Sequence, residues 1–287
     1  MRNLKTFMVY MILFVSVSML SAQTLDLQNI PNDKMQFGIS YDKAFYSNEY
    51  SDYNMSALSG VYQINANIPI SSKFNIIGDI PYVITNYEIN FVGFSQSFSE
   101  NGIGNIFIGL QTNSKLVNNK KSIFTLGLYL PTCSKNGALW GLLADDYYFP
   151  KSYPNLFSMY FNYAYHKINT QGFNYGFELG PDLSIPTKSN YNKTELYIHY
   201  GVIGGYQINK LLFNLEFLGY GIITEHVNNF GDRFINMINI GAQWKGTTIT
   251  PKIFYKIYLR NDMRHTVDGV LGLGATVSID WVINNST

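Results

Sequence analysis

Residues 156–166, LFSMYFNYAYH, decide how the rest of the chain is read. In an extended chain successive side chains point to opposite faces. Phe157, Met159, Phe161, Tyr163 and Tyr165 therefore share one face, and Ser158, Asn162, Ala164 and His166 share the other with Leu156 and Tyr160. So broad an aromatic face needs something apolar to lie against. If that is a protein core, the polar face meets water outside; if it is lipid, the polar face lines a wet interior. One strand fits both arrangements, and the rest of the chain has to separate them.

Composition narrows the choice. The 287 residues are 16% aromatic and only 14% charged, with 24 glycines, whereas an ordinary soluble domain is about 25% charged. Beyond the N-terminus no apolar run reaches the roughly 20 residues of a membrane helix. A net charge of +1 without a basic block argues against a nucleic-acid partner. No heptad or low-complexity tract appears, and the length suits one domain.

The first residues set the compartment. Arg2 and Lys5 precede an apolar run over 6–20 (TFMVYMILFVSVSML) and then SAQ at 21–23. Residues 1–22 read as a secretory signal peptide cleaved after Ala22, although Leu20 is larger than usual two positions before a cleavage site. A membrane anchor is the alternative, and the run is short for one. Residues 23–33 (QTLDLQNIPND) follow as a periplasmic segment or plug, and 34–287 as the folded domain. Cys133, the one cysteine, reads as a small residue near a strand end rather than a reactive thiol.

Dyad alternation recurs along the whole domain, in segments 34–45, 57–70, 74–85, 103–113, 122–133, 153–167, 172–186, 194–207, 211–224, 233–245, 247–260 and 268–281. Their connections also alternate. Those at 71–73, 169–171, 208–210 and 246 are short, while 46–56, 86–102, 134–152, 187–193, 225–232 and 261–267 are longer; 114–121 is an exception. Short periplasmic turns and longer external loops between an even number of strands are the mark of an outer-membrane barrel, whose closure removes the unpaired edges that lipid forbids. A soluble two-sheet sandwich also alternates, but its connections do not sort by position. The expected fold is all-β: a single transmembrane, antiparallel, up-and-down β-barrel of about 12 strands in the outer membrane of a Gram-negative bacterium. Its lipid face then carries the aromatic set of 156–166. Outer-membrane lipid and the barrel assembly machinery are the expected partners; because VINNST follows Trp281, either Trp281 serves as an internal assembly signal or the final strand runs longer than 268–281.

Three stretches carry a family resemblance: PISSKFNIIGDIPYVITNYE (69–88), NGIGNIFIGLQTN (101–113) and SIFTLGLYLPT (122–132). Together they resemble the outer-membrane transporter family typified by the meta-pathway of phenol degradation proteins. Ile80, Pro81 and Tyr82 match its "lPy" element; Gly102 and Gly104 match "GxGD", with Asn105 where Asp is usual; Pro131 and Thr132 match "lPtG", with Cys133 where Gly is common. The resemblance covers under half of the chain. It implies a barrel that passes hydrophobic or aromatic compounds, by analogy of fold. GIGNIFIG is not a dinucleotide fingerprint, because its spacing and flanks are wrong; the glycines read as places where the wall bends.

Parity puts Asp42, Asp79, Glu178, Asp182, Glu195, His199, Glu216, Lys252, Lys256 and Arg260 on the face opposite the lipid set. A Lys or Arg facing the bilayer midplane costs about 2–4 kcal/mol, which constrains that assignment. Most of these charges are expected to pair as structural filling. Lys252, Lys256 and Arg260 recur every fourth residue and form a candidate cationic ladder, with the aromatics Phe254 and Tyr258 between its rungs. In a simple register of the last hairpin, Arg260 faces Asp268, Lys256 faces Gly272 and Lys252 faces Thr276. The lysines then answer to a distant Glu178, Glu195 or Glu216, or to a passing anion. The expected function is passage of small hydrophobic or aromatic solutes, including anionic ones. The alternative is an adhesin or scaffold without transport, supported by Trp140, Tyr147, Tyr148 and Phe149 in the 134–152 loop, which serve equally as a grip on a partner or as an inward constriction. No Ser–His pairing or metal-ligand spacing involves His166, His199, His226 or His265, so no catalytic residue, cofactor or metal is expected and the chain reads as a non-enzyme.

Overall fold

Each strand of the wall alternates an outward apolar residue with an inward polar, aromatic or glycine residue, and neighbouring strands keep the same phase. The structure, a computed structural model, describes residues 27, 33–46, 53–91, 94–113, 116–133, 148–188, 193–224, 230–259 and 267–280. The segment read as a signal peptide lies outside these residues, as do Trp140, Tyr147, Arg260 and Trp281; of Phe149 only the backbone is described.

Among the described residues there are fourteen strands: β1 (Met35–Tyr46), β2 (Tyr53–Met55), β3 (Gly60–Pro69), β4 (Phe74–Phe91), β5 (Phe94–Ile103), β6 (Phe107–Thr112), β7 (Lys120–Tyr129), β8 (Leu156–Lys167), β9 (Gly172–Pro186), β10 (Glu195–Ile208), β11 (Leu211–Ile222), β12 (Phe234–Trp244), β13 (Ile249–Tyr258) and β14 (Val267–Ile279). Twelve of them close an antiparallel ring, with β1 joining β14 on one side and β3 on the other, and β4 joining β6; β2 and β5 pair only with β4. A closed barrel satisfies every backbone group of the wall without an edge. No described helix is long and apolar enough to cross a membrane, and the barrel crosses with strands instead.

Strand β8 answers the question posed by its sequence. Met159 and Phe161 are each 43% exposed on the outside, whereas Ser158, Tyr160, Asn162, Ala164 and His166 are buried inside. Phe124 and Tyr163 pack at a tilt across β7 and β8 on the outer face with ring centroids 4.8 Å apart, and Tyr165 stacks on Phe177 at 5.8 Å. The outward face is continuous from strand to strand, which is the surface of a bilayer-spanning protein. The fold is that of Gram-negative outer-membrane proteins.

Three local features depart from the expectation. Residues 86–102 are not an open loop: β4 runs on to Phe91 and pairs with β5, making a hairpin that extends beyond the wall. The wall strand expected over 103–113 is interrupted at 104–106, so that the first part of β4 pairs with β6 and its later part with β5. The last hairpin is slipped by two residues, with Lys252 opposite Gly274, Phe254 opposite Gly272 and Lys256 opposite Val270. A two-residue slip leaves every side chain on its own face, so alternation cannot detect it. The long exception at 114–121 contains a tight turn, with Asn118 and Asn119 both at positive φ between the bridged Val117 and Lys120. Two consecutive left-handed residues define the type I′ hairpin turn that asparagine tolerates.

The break at 104–106 is a built joint. Gly104 N–H donates to Pro81 O at 2.8 Å, and Asn105 N–H donates to Lys151 O at 2.7 Å. A Cβ on Gly104 would stand 2.6 Å from Lys151 O and 2.7 Å from Pro81 Cγ, so this approach requires glycine. Asn105 Nδ2 donates to Pro150 O at 2.8 Å and Tyr153 O at 2.7 Å, while its Oδ1 accepts from Cys133 N–H at 2.9 Å. Those bonds fix a single helical turn, α1 (Phe149–Ser152), against the inside of the wall. Burial pushes the Cys133 thiol up to about 11, consistent with the inert role expected of it.

Candidate functional site

The lumen is where polar chemistry gathers. Asp42, Asp79, Glu178, Asp182, His199, Glu216 and Lys256 are all buried, as parity requires. Lys252, Phe254, Lys256 and Tyr258 share the inward face of β13, with Lys252 only partly buried. Phe254 lies between the two lysines, with Lys252 Nζ 5.5 Å and Lys256 Nζ 5.2 Å from its ring centre. The ring lies flat on the wall because its neighbour on β14 is Gly272, where any Cβ would run into it.

Lys256 does not hang in an open ladder. Its Nζ lies 3.1 Å from Asp42 Oδ2, with both side chains at most 1% exposed. Asp42 stands on β1, two strands from β13 across the seam where the barrel closes. The carboxylates named from sequence as neutralising groups also accept bonds from other partners. Glu216 Oε2 accepts from Asn239 Nδ2 at 2.8 Å, and its Oε1 accepts from the backbone N–H of Leu27. Glu178 accepts from Asn162 Nδ2 at 3.2 Å. Glu195 stands at the external end of β10, bonded by the Thr224 hydroxyl.

His199 belongs to a chain of contacts over β8, β9 and β10. Its Nδ1 is 2.9 Å from Asp182 Oδ2 and its Nε2 is 3.2 Å from Asn162 Oδ1. With Asn162 donating to Glu178, both ring nitrogens of His199 face acceptors, the arrangement of an imidazolium. Tyr160 stacks on the imidazole at 4.7 Å, only 6° from parallel. No hydroxyl nucleophile completes a triad here, since Ser158 instead bonds Ser184 at 2.8 Å. No group of three metal-ligating side chains occurs among the described residues.

Among the described residues, two pieces that are not wall lie in the interior. Tyr148, in the connection between β7 and β8, points inward and is 1% exposed, its ring 5.6 Å from Tyr129 and 5.2 Å from Tyr220. Burial, then the charge of Asp182, push its phenol well above the usual value, so it stays neutral. Lys151 follows it inside, donating to Gln63 Oε1 at 3.4 Å. Tyr148 thereby joins Phe107, Tyr129, Tyr160, Tyr220 and Tyr258 in an aromatic core that fills the external half of the lumen. Leu27, 1% exposed, is the second piece, held on Glu216 and lying beside Gly241.

Of the loop aromatics, the structure therefore brings Tyr148 into the lumen. Sequence reasoning missed Asp42 as the partner of Lys256 and Lys151 as an interior group, while Leu27 falls in the 23–33 segment read as a periplasmic segment or plug. Nothing periodic marks Lys151, because it belongs to no strand of the wall.

The whole architecture resembles a COG4313 outer membrane channel from Pseudomonas putida F1, with a TM-score of 0.61 at 12% identity over 90% of this chain and 100% of that one. It also aligns with the KdgM porin (TM-score 0.45, 6% identity, 84% and 99% of the two chains) and the Pseudomonas putida toluene transporter TodX (TM-score 0.41, 10% identity, 93% and 95%). At these identities the likeness is one of fold. No protein-family profile matches the chain, and no curated protein matches it in sequence.

Proposed function

We propose that the protein is a narrow, gated outer-membrane channel for small hydrophobic or aromatic solutes, including anionic ones. The observation that carries this reading is that, among the described residues, two pieces that are not wall lie inside the lumen. Tyr148 packs against the rings of Tyr129 and Tyr220, and the Leu27 N–H donates to Glu216; pieces docked in this way can leave while the barrel stays closed. A twelve-stranded ring lies between small barrels filled by their own side chains and large open ones, and so has room for a removable stop. Aromatic groups in the external half and Phe254 lower down suit a flat apolar solute, while the charges and carboxamides beside them suit its polar head. The family resemblance of residues 69–132 points the same way.

Conductance of the purified protein in a planar bilayer tests the reading. The intact chain should give small or rare openings. Both Tyr148→Ala and deletion of residues 23–33 should raise conductance severalfold. Silence in all three folded forms would move the assignment to an adhesin or scaffold.

A further inference from the structure

The outer face of the wall changes character where it meets the short turns. Parity along β7 puts Lys120 in the outward set with Phe124, Leu126 and Leu128, and parity along β8 puts Lys167 with Phe161, Tyr163 and Tyr165. The register sets the two lysines directly opposite each other. Residues so placed have Cβ atoms about 4.5–5.5 Å apart, and like charges there destabilise a sheet. Among the described residues neither lysine has a carboxylate partner, and the acids at this end have other partners: Asp33 accepts from Asn113 Nδ2 at 3.1 Å, and Asp280 pairs with Lys34 at 2.8 Å. The turns also keep the pair together. Ile168 N–H donates to Asn119 O at 2.7 Å and Asn119 Nδ2 donates to Asn169 Oδ1 at 3.1 Å, which ties the β6–β7 turn to the β8–β9 turn.

The same register fixes the height of the pair in the membrane. Lys167 stands opposite Tyr175 on β9, with its Nζ 5.8 Å from the ring centre. Tyr175 in turn lies beside Phe173 and Tyr165, with ring centroids 6.1 Å and 6.4 Å away. Outward aromatics near the end of a barrel wall form the girdle at the level of the lipid headgroups. The two lysines therefore stand at headgroup level, on the side of the short turns. Leu116 and Val117, 50% and 64% exposed in the adjoining turn, suit that boundary, where apolar side chains and cations are both accommodated.

We propose that Lys120, Lys167 and Tyr175 form a site on the outer wall for an anionic phospholipid, whose phosphodiester lies between the two ammonium groups. A negative group in that place removes the repulsion of the lysine pair, and its two charged oxygens offer one acceptor to each. The apolar surface running on from the pair says what carries the phosphate. Phe124, Tyr163, Tyr165 and Phe177 make a continuous outward aromatic face over β7, β8 and β9, along which acyl chains attached to the headgroup would lie. A free phosphate has no use for such a face. The site requires only that the barrel lies in a membrane, and is independent of solute passage.

Native mass spectrometry of the full chain, released from detergent micelles after titration with phosphatidylglycerol or with phosphatidylcholine of the same acyl chains, tests the site. Phosphatidylglycerol should be held at least about tenfold more tightly. Lys120→Gln with Lys167→Gln should erase that preference. Lys188→Gln with Lys193→Gln, which removes two exposed charges at the long-loop end, should leave it intact. Millimolar inorganic phosphate should not displace the lipid. A second readout uses the repulsion itself: Lys120→Gln with Lys167→Gln should raise the urea midpoint in phosphatidylcholine vesicles and lower it in phosphatidylglycerol vesicles. Equal retention of the two lipids, an unchanged preference in the Lys120 and Lys167 variant, an equal loss in the control variant, or displacement by inorganic phosphate overturns the proposal, as does a midpoint that moves the same way in both kinds of vesicle.

Discussion

Asn105 shows how one side chain can hold a broken strand together. It occupies the place where the resembled family usually has Asp, and its geometry explains the difference. The amide nitrogen donates to two carbonyls, Pro150 O and Tyr153 O, while the amide oxygen accepts from Cys133 N–H. A carboxylate could keep only the third contact, because an ionised Asp donates nothing. It would also bring negative charge against two carbonyl oxygens in a buried place. Asn105→Asp should therefore destabilise the barrel by about 1–3 kcal/mol and free α1 from the wall. The shift in the urea midpoint of vesicle-folded protein measures the first effect, and protease cleavage near residue 150 the second. An unshifted midpoint with the loop still protected would refute the role given to this residue. The matching glycine was readable as a bend, but the need for an amide was not, since its partners lie some 45 residues away.

The strands are where sequence reasoning reaches furthest. A period of two assigns each residue of β8 to lipid or lumen, and burial follows that assignment at every position from Leu156 to His166. The same period is blind to slips of two, which is why the Lys252 and Lys256 neighbours were misplaced while their faces were right. It is equally silent about how far β4 and β5 extend past the membrane. The depth of the lipid face makes a graded prediction. Phe161 is outward near the middle of β8, and Ile208 is outward at the last residue of β10. Phe161→Arg should cost about 2–4 kcal/mol and Ile208→Arg about 0–1 kcal/mol, because the penalty for a cation falls toward the interface. Folding titrations into phospholipid vesicles give both numbers. Equal penalties would mean that the aromatic face of β8 does not meet acyl chains.

At the scale of the whole molecule, the barrel must close the first strand on the last, and one buried ion pair straddles that seam. Lys256 on β13 reaches over β14 to Asp42 on β1. The two residues are far apart in sequence and each is legible as inward, yet nothing in a linear reading brings them together; only ring closure does. The inward placing of Leu27 and Tyr148 was one of two alternatives for their segments, and sequence alone could not choose between them, since interior docking leaves no periodic trace. Removing two charges from water is costly, and their attraction offsets this only while both remain. Asp42→Asn should thus leave the Lys256 ammonium without its carboxylate and destabilise the barrel by about 3–5 kcal/mol. The matched replacement, Asp42→Leu with Lys256→Met, removes the charge from both sides and should lie within about 1–2 kcal/mol of the wild type. Urea unfolding of the wild type, Asp42→Leu, Lys256→Met and the double replacement, the four corners of one cycle, isolates the coupling between the residues. If the pair instead forms part of a cationic ladder whose lysine faces solute, Asp42→Asn will be tolerated and the double replacement will change ion selectivity more than stability. A large single-site loss that the second substitution restores would assign the pair to closure of the barrel.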